Sequence, residues 1–226
     1  MSNTKNTSLV DELYSDLPRV HQELGNPEGG VWRTERSCYE FIAARCGPES
    51  RTLETGLGVS TMLFVRLGTT HTSIAPWESE IASLKRYCEE RGIAQDRLEL
   101  IQGFSDEVLP TLPKDELDLV LIDGGHGFPT PIIDWYYAAG RLRNHGVLVI
   151  DDVQLPAVQM LLAFLDADPR WTRIETTPKW VAYRRDSEGT LQEGHEKQDF
   201  LGESRMWTHS APRTRIFDRL RLNKKT

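Results

Sequence analysis

Apolar residues recur at helical spacing over residues 8–24, at Leu9, Val10, Leu13, Leu17, Val20 and Leu24. Pro18 interrupts the pattern and predicts a break near Asp16 and Leu17. Asn26-Pro27-Glu28-Gly29-Gly30 is a loop, and Thr34 is a candidate cap for a second helix through about Ala44, ended by Gly47-Pro48. A regular alternation follows. Strands are predicted over 51–54, 71–75, 98–102, 117–122 and 146–150, and helices over 60–67, 78–91, 105–109, 131–142 and 155–165. Two last strands, 171–176 and 180–183, are joined by the short turn Thr177-Pro178-Lys179.

Strands that alternate with helices predict an α/β fold. The architecture is a Rossmann-like, doubly wound, mainly parallel sheet with helices on both faces. The near-continuous apolar segments LDLVLID and GVLVI belong at its centre. The final two strands have no room for a crossover helix, so an antiparallel strand is expected at one edge. This reading divides the chain into an N-terminal helical segment over 1–50, which caps the site and helps to hold an acceptor, a sheet domain over 51–185 and a charged extension over 186–226.

The 226 residues carry 27 basic and 34 acidic side chains, a net charge of −7. Such a balance argues against nucleic acid as the main partner, because its long-range field repels phosphate. No apolar run reaches the roughly 20 residues that span a bilayer, and no secretory leader opens the chain. The expected compartment is the cytoplasm. Cys38, Cys46 and Cys88 form no CxxC pair and are read as buried, reduced thiols.

Ligands of doubly wound sheets bind outside the carboxyl ends of the strands. The first strand ends in Glu54-Thr55-Gly56-Leu57-Gly58-Val59-Ser60-Thr61, where two glycines let backbone approach a ligand and a helix begins at Ser60. Thr61 stands where a full GxGxxG dinucleotide fingerprint would have its third glycine. The fourth strand ends in Asp123-Gly124-Gly125-His126 and the fifth in Asp151-Asp152. Three carboxylates on neighbouring strand ends call for a cation, a proton or hydrogen bonds.

The segments LETGLGVST, LELIQGFSDEVLPTL, LDLVLIDGGH and HGVLVIDD, in this order and spacing, resemble the class I S-adenosylmethionine-dependent methyltransferases. The likeness covers about residues 50–184 and is greatest to the small-molecule O-methyltransferase-like branch with an IDG-x-H segment. It implies that Glu54, Gly56 and Gly58, with Ser60 and Thr61 at the helix start, hold the methionine part of S-adenosylmethionine. It also implies that Gly103, Phe104 and Ser105 lie along the adenine, that Asp123 faces the cofactor or a metal, and that His126 is the histidine of the motif.

The family's ribose-binding acid at the end of the second strand is replaced by Ala75, in Ala75-Pro76-Trp77-Glu78. Glu78 is the candidate to reach back to the ribose, and Trp77 to pack on the adenosine. Arg143-Asn144-His145-Gly146 stands where the family often has a proline–glycine–glycine turn, and His145 is read as a turn residue.

The implied reaction is in-line transfer of a methyl group to a small hydroxylated acceptor, a sugar or secondary metabolite, with His126 as base and Asp123 beside it. The competing activation uses Mg²⁺ on Asp123, Asp151 and Asp152. Other readings are N-methylation, RNA methylation, or a non-catalytic binding protein on the same fold. Within the extension, residues 186–203 are acidic and 213–226 basic, with Trp207 and His209 between them. It is read as an appendage packed on the same chain or on a second copy in a homo-oligomer, with an anionic partner as the alternative.

Overall fold

The computed structural model of the chain describes residues 2–21 and 30–187. The charged extension beyond Ser187, with Trp207 and His209, lies outside the described residues. The sheet has seven strands: β1 Arg51–Thr55, β2 Thr70–Ala75, β3 Leu98–Gln102, β4 Leu117–Ile122, β5 Leu142–Ile150, β6 Trp171–Thr176 and β7 Val181–Arg185. Their order is β3-β2-β1-β4-β5-β7-β6. All pairings from β3 to β5 are parallel, and β7 pairs antiparallel with both β5 and β6. The chain order reverses between β1 and β4, so a crevice opens at their carboxyl ends.

Burial explains this order. Leu119 to Ile122 of β4 and Leu148 to Ile150 of β5 are inaccessible or nearly so, as central strands must be. Val181, Ala182 and Tyr183 are also buried, whereas β6 is partly exposed along its length. The more apolar β7 therefore takes the inner position, and β6 becomes the edge. The expected antiparallel pairing holds, with the antiparallel strand one place in from the edge.

The helices are α1 Ser2–Ser15, α2 Arg36–Ala43, α3 Val59–Leu67, α4 Glu78–Glu90, α5 Ser105–Val108, α6 Thr130–Ala138 and α7 Pro156–Ala167. Helix α1 ends at Ser15, before Pro18, as the sequence predicts, and residues 17–21 do not resume it. Val10 and Leu13 are fully buried in the core shared with α2 and α3. Asp16 fastens this end to α4, for the Tyr87 hydroxyl donates to its carbonyl at 2.6 Å and Arg91 pairs with its carboxylate. The described residues up to position 50 and the sheet belong to one compact unit.

Three local expectations are corrected. Thr34 does not cap α2; Glu35 occupies the cap position, and the Thr34 hydroxyl instead donates to Asp151 at the end of β5. Helix α6 stops at Ala138 and one tight turn leads into β5, which begins at Leu142. His145 lies within β5, at φ 63°, where the pairing with β4 slips between Leu117 and Leu119. It is a bulge residue inside a strand, not a turn before one. All three cysteines are unpaired and buried, and burial pushes the Cys46 thiol up to about 12.

Candidate active site

At the ends of β1, β3, β4 and β5 the chain turns away with an N–H donated to a neighbouring strand. Gly56 donates to the Ile74 carbonyl at 2.9 Å, Gly103 to Ala75 at 3.1 Å, Asp123 to Thr55 at 3.0 Å and Asp151 to Ile122 at 3.0 Å. These turns line a cavity of about 690 Å³ over the sheet, well inside the roughly 300–1,000 Å³ range of small-molecule sites. Gly56 sits at φ +112°, and a Cβ there would lie 2.5 Å from the Asp123 carbonyl oxygen. Only glycine lets the β1 and β4 ends close together here.

Gly58, Val59 and Ser60 begin α3 on the cavity wall. The first N–H groups of a helix have no partner within it, so this end of the cavity offers donors and partial positive charge to an anion. Glu54 and Thr61 are placed differently from the expectation. Neither lines the cavity; both are fully buried beneath the loop. The Gly58 N–H donates to the Thr61 hydroxyl at 2.9 Å, and that hydroxyl donates to Glu54. Glu54 also meets His71 Nε2 at 3.1 Å, and His71 stacks on Phe64 at 4.3 Å. The acid thus fixes the shape of the glycine loop from below.

Trp77, Gly103, Phe104 and Ser105 do line the cavity. Trp77 and Phe104 meet edge to face at 6.1 Å, and both are about half exposed. Large aromatics that border a cavity and leave this much surface open suit a flat ligand group. Glu78 is exposed and off the wall; Glu80, one turn into α4, lines it instead.

Across the cavity, Asp123, His126 and Asp152 converge. His126 Nε2 lies 2.9 Å from Asp152 Oδ2 and 4.0 Å from Asp123 Oδ1. His126 Nδ1 is buried with no hydrogen-bond partner. Asp152 adopts φ 55°, an uncommon backbone for a residue with a side chain, which turns its carboxylate toward His126. Lys179, on the β6–β7 turn, pairs with Asp152 and lies 3.4 Å from Asp151. Gln154 donates to Asp152 at 2.7 Å. The hydrogen bond to His126, more than any other contact, holds the Asp152 carboxyl below the usual range. Burial raises Asp123 well above it, helped by the charges of Asp151, Glu54 and Asp152. Burial also raises Asp151, against its hydrogen bond from Thr34.

The three-aspartate metal set is corrected by this geometry. Ligand atoms of Asp123, His126 and Asp152 come within 4.8 Å of one another, while Asp151 is turned to Thr34 and Lys179. An all-oxygen magnesium site does not fit, because Asp152 already carries an ammonium and an imidazole and one donor of the set is nitrogen.

His21 and Val31 carry no motif in the sequence; with Trp32 and Arg33, which follow the Gly29-Gly30 pair and are candidates there for a lid, they close one side from the N-terminal segment, and Trp32 stacks on His21 at 5.1 Å. Lys179 was legible in principle: a hairpin whose first strand runs parallel to the others must turn at the carboxyl end, next to Asp151 and Asp152.

The topology and site define the class I methyltransferase fold. Residues 53–153 match the methyltransferase domain family, so the chain carries a methyltransferase domain and is an enzyme of that class. Among curated proteins no sequence matches it. An O-methyltransferase from Streptomyces achromogenes, TomG, solved with S-adenosylmethionine, is 19% identical, covering 79% of this chain and 90% of that one at a TM-score of 0.63. An O-methyltransferase from Bacillus cereus, solved with S-adenosylhomocysteine, is 16% identical over 79% and 91%, at 0.59. An rRNA methylase from Streptococcus thermophilus is 16% identical over 70% and 99%, at 0.56. These likenesses share the fold across different acceptors, so the acceptor must be argued from the site.

Proposed function

We propose that the protein is an O-methyltransferase that takes its methyl group from S-adenosylmethionine and gives it to a small hydroxylated acceptor. The observation that carries this reading is one cavity that joins a helix N-terminus, an aromatic pair and the Asp123–His126–Asp152 cluster. The wall offers groups that suit the cofactor in order: backbone donors at Val59 and Ser60 for a carboxylate, then polar groups, then Trp77 and Phe104 for a purine. Cofactor and acceptor would share a cavity of about 690 Å³, a size that suits a small molecule. The neighbours from Streptomyces achromogenes and Bacillus cereus, described as O-methyltransferases, agree with it.

S-adenosylmethionine supplies an electrophilic methyl on a sulfonium; the chain must place the acceptor oxygen and take its proton. His126 lines the cavity with Nε2 2.9 Å from the Asp152 carboxylate, which orients the imidazole as the group that takes this proton. Lys179 offsets the charge of Asp151 and Asp152, so the cluster has a built-in cation.

Methyl-labelled S-adenosylmethionine incubated with a panel of sugars, phenols and hydroxylated metabolites tests the proposal. The expected result is label on a hydroxyl oxygen, at a rate unchanged by a chelator. Label only on nitrogen or RNA would replace the acceptor reading, and loss of turnover with chelator would replace the His126 mechanism.

A further inference from the structure

Resting on the cofactor reading above, we infer that Glu80, held by His21, is the ribose-diol acceptor of this protein, moved from the end of β2 to the first turn of α4. Ala75 ends β2 without a polar side chain, and Pro76 has no N–H to offer. A cofactor with two vicinal hydroxyls would meet no partner from the strand itself. Glu78 is exposed, but Glu80 is only 6% exposed and lies on the cavity wall.

His21 Nδ1 meets Glu80 Oε1 at 2.8 Å, and His21 is itself buried. A carboxylate buried beside an open cavity is costly unless its lone pairs are used. One imidazole cannot use them all, since each carboxylate oxygen accepts two hydrogen bonds. A cis-diol can supply two more, one to each oxygen, in the paired geometry that carboxylates favour. The place is also right. A Cβ on Gly58 would lie 3.3 Å from His21 Nε2, so the pair adjoins the α3 N-terminus. Trp77 lies three residues before Glu80, and its carbonyl accepts the Glu80 N–H at 3.2 Å. Glu80 therefore sits between the anion-binding end and the aromatic end, where a ribose falls between methionine and adenine.

His21 fixes the direction of the carboxylate and is in turn steadied by stacking on Trp32 and by its N–H to the Gly30 carbonyl at 3.0 Å. The N-terminal segment thereby contributes to cofactor recognition.

Calorimetric titration of the full chain with S-adenosylhomocysteine and its 2′-deoxy and 3′-deoxy counterparts tests this inference. The wild-type protein should bind at least one deoxy compound about tenfold or more weakly, the scale of a lost hydrogen bond to a charged group. Glu80→Gln should weaken the parent compound by about 10–100-fold and shrink the discrimination to within about threefold. His21→Ala should give an intermediate loss. Equal affinity of the wild type for all three compounds, with tight binding of the parent, would overturn the inference and leave the cofactor reading standing. No binding of the parent compound would overturn both. The wild-type comparison needs no variant, so a Glu80→Gln protein that fails to fold does not spare the inference.

Discussion

His126 and Asp134 show how differently a cavity-wall group and a fully buried group behave. His126 is oriented by Asp152 and keeps an unpartnered nitrogen. His126→Ala should lower turnover by about 10²–10⁴-fold, the usual contribution of a positioned base, while the dissociation constant for S-adenosylhomocysteine stays within about threefold. A loss confined to cofactor affinity would contradict the assignment. Asp134, on α6, is fully buried, and neither carboxylate oxygen makes a hydrogen bond of full geometry. Burial raises its carboxyl to about 6, and the facing hydroxyls of Ser105 and Thr55 offset only part of that cost. The folded chain therefore holds this proton after the unfolded chain has released it. Between about pH 4 and pH 6 the folded state binds more protons, so this group's contribution falls as pH rises, by about 3 kcal/mol in total. Asp134→Asn should remove that slope; denaturant unfolding across this range measures it, and an unchanged slope would refute the argument.

The elements that make the site are short turns fastened by single residues, and this governs what the sequence discloses. Gly56→Ala should destabilise the protein by more than about 2 kcal/mol, since it forces a Cβ onto the Asp123 carbonyl and a strained φ at once. Thermal unfolding checks this. Thr34→Val should cost about 1–3 kcal/mol, because it leaves Asp151, buried to 2% exposure, without its hydroxyl donor. The alternation of strands and helices, the glycine loop and the Asp123–His126 turn were legible because each leaves a local mark: a period, a glycine pair, an acid at a strand end. Thr34, His21 and Glu80 were not, since their partners lie 59 to 117 positions away. The placement of Glu54 is hidden for the same reason. Its place at the loop suggests a ligand contact, and only the packing of His71 and Thr61 shows that it faces downward.

For the whole molecule, the net charge of −7 and the acidic wall of the cavity point the same way. Acceptor KM should stay within about threefold as salt rises from roughly 50 to 200 mM, whereas a polyphosphate acceptor held by many contacts would lose about 10³-fold or more. Among the described residues no helix is long and apolar enough to cross a membrane. The described residues of the N-terminal segment and the sheet belong to one compact unit.

The most direct test of the central claim is calorimetric titration of the full chain with S-adenosylmethionine and with S-adenosylhomocysteine, each with and without Mg²⁺. One site per chain, micromolar affinity and no dependence on Mg²⁺ are predicted. The absence of binding to either compound would contradict the claim that this cavity is a methyl-donor site.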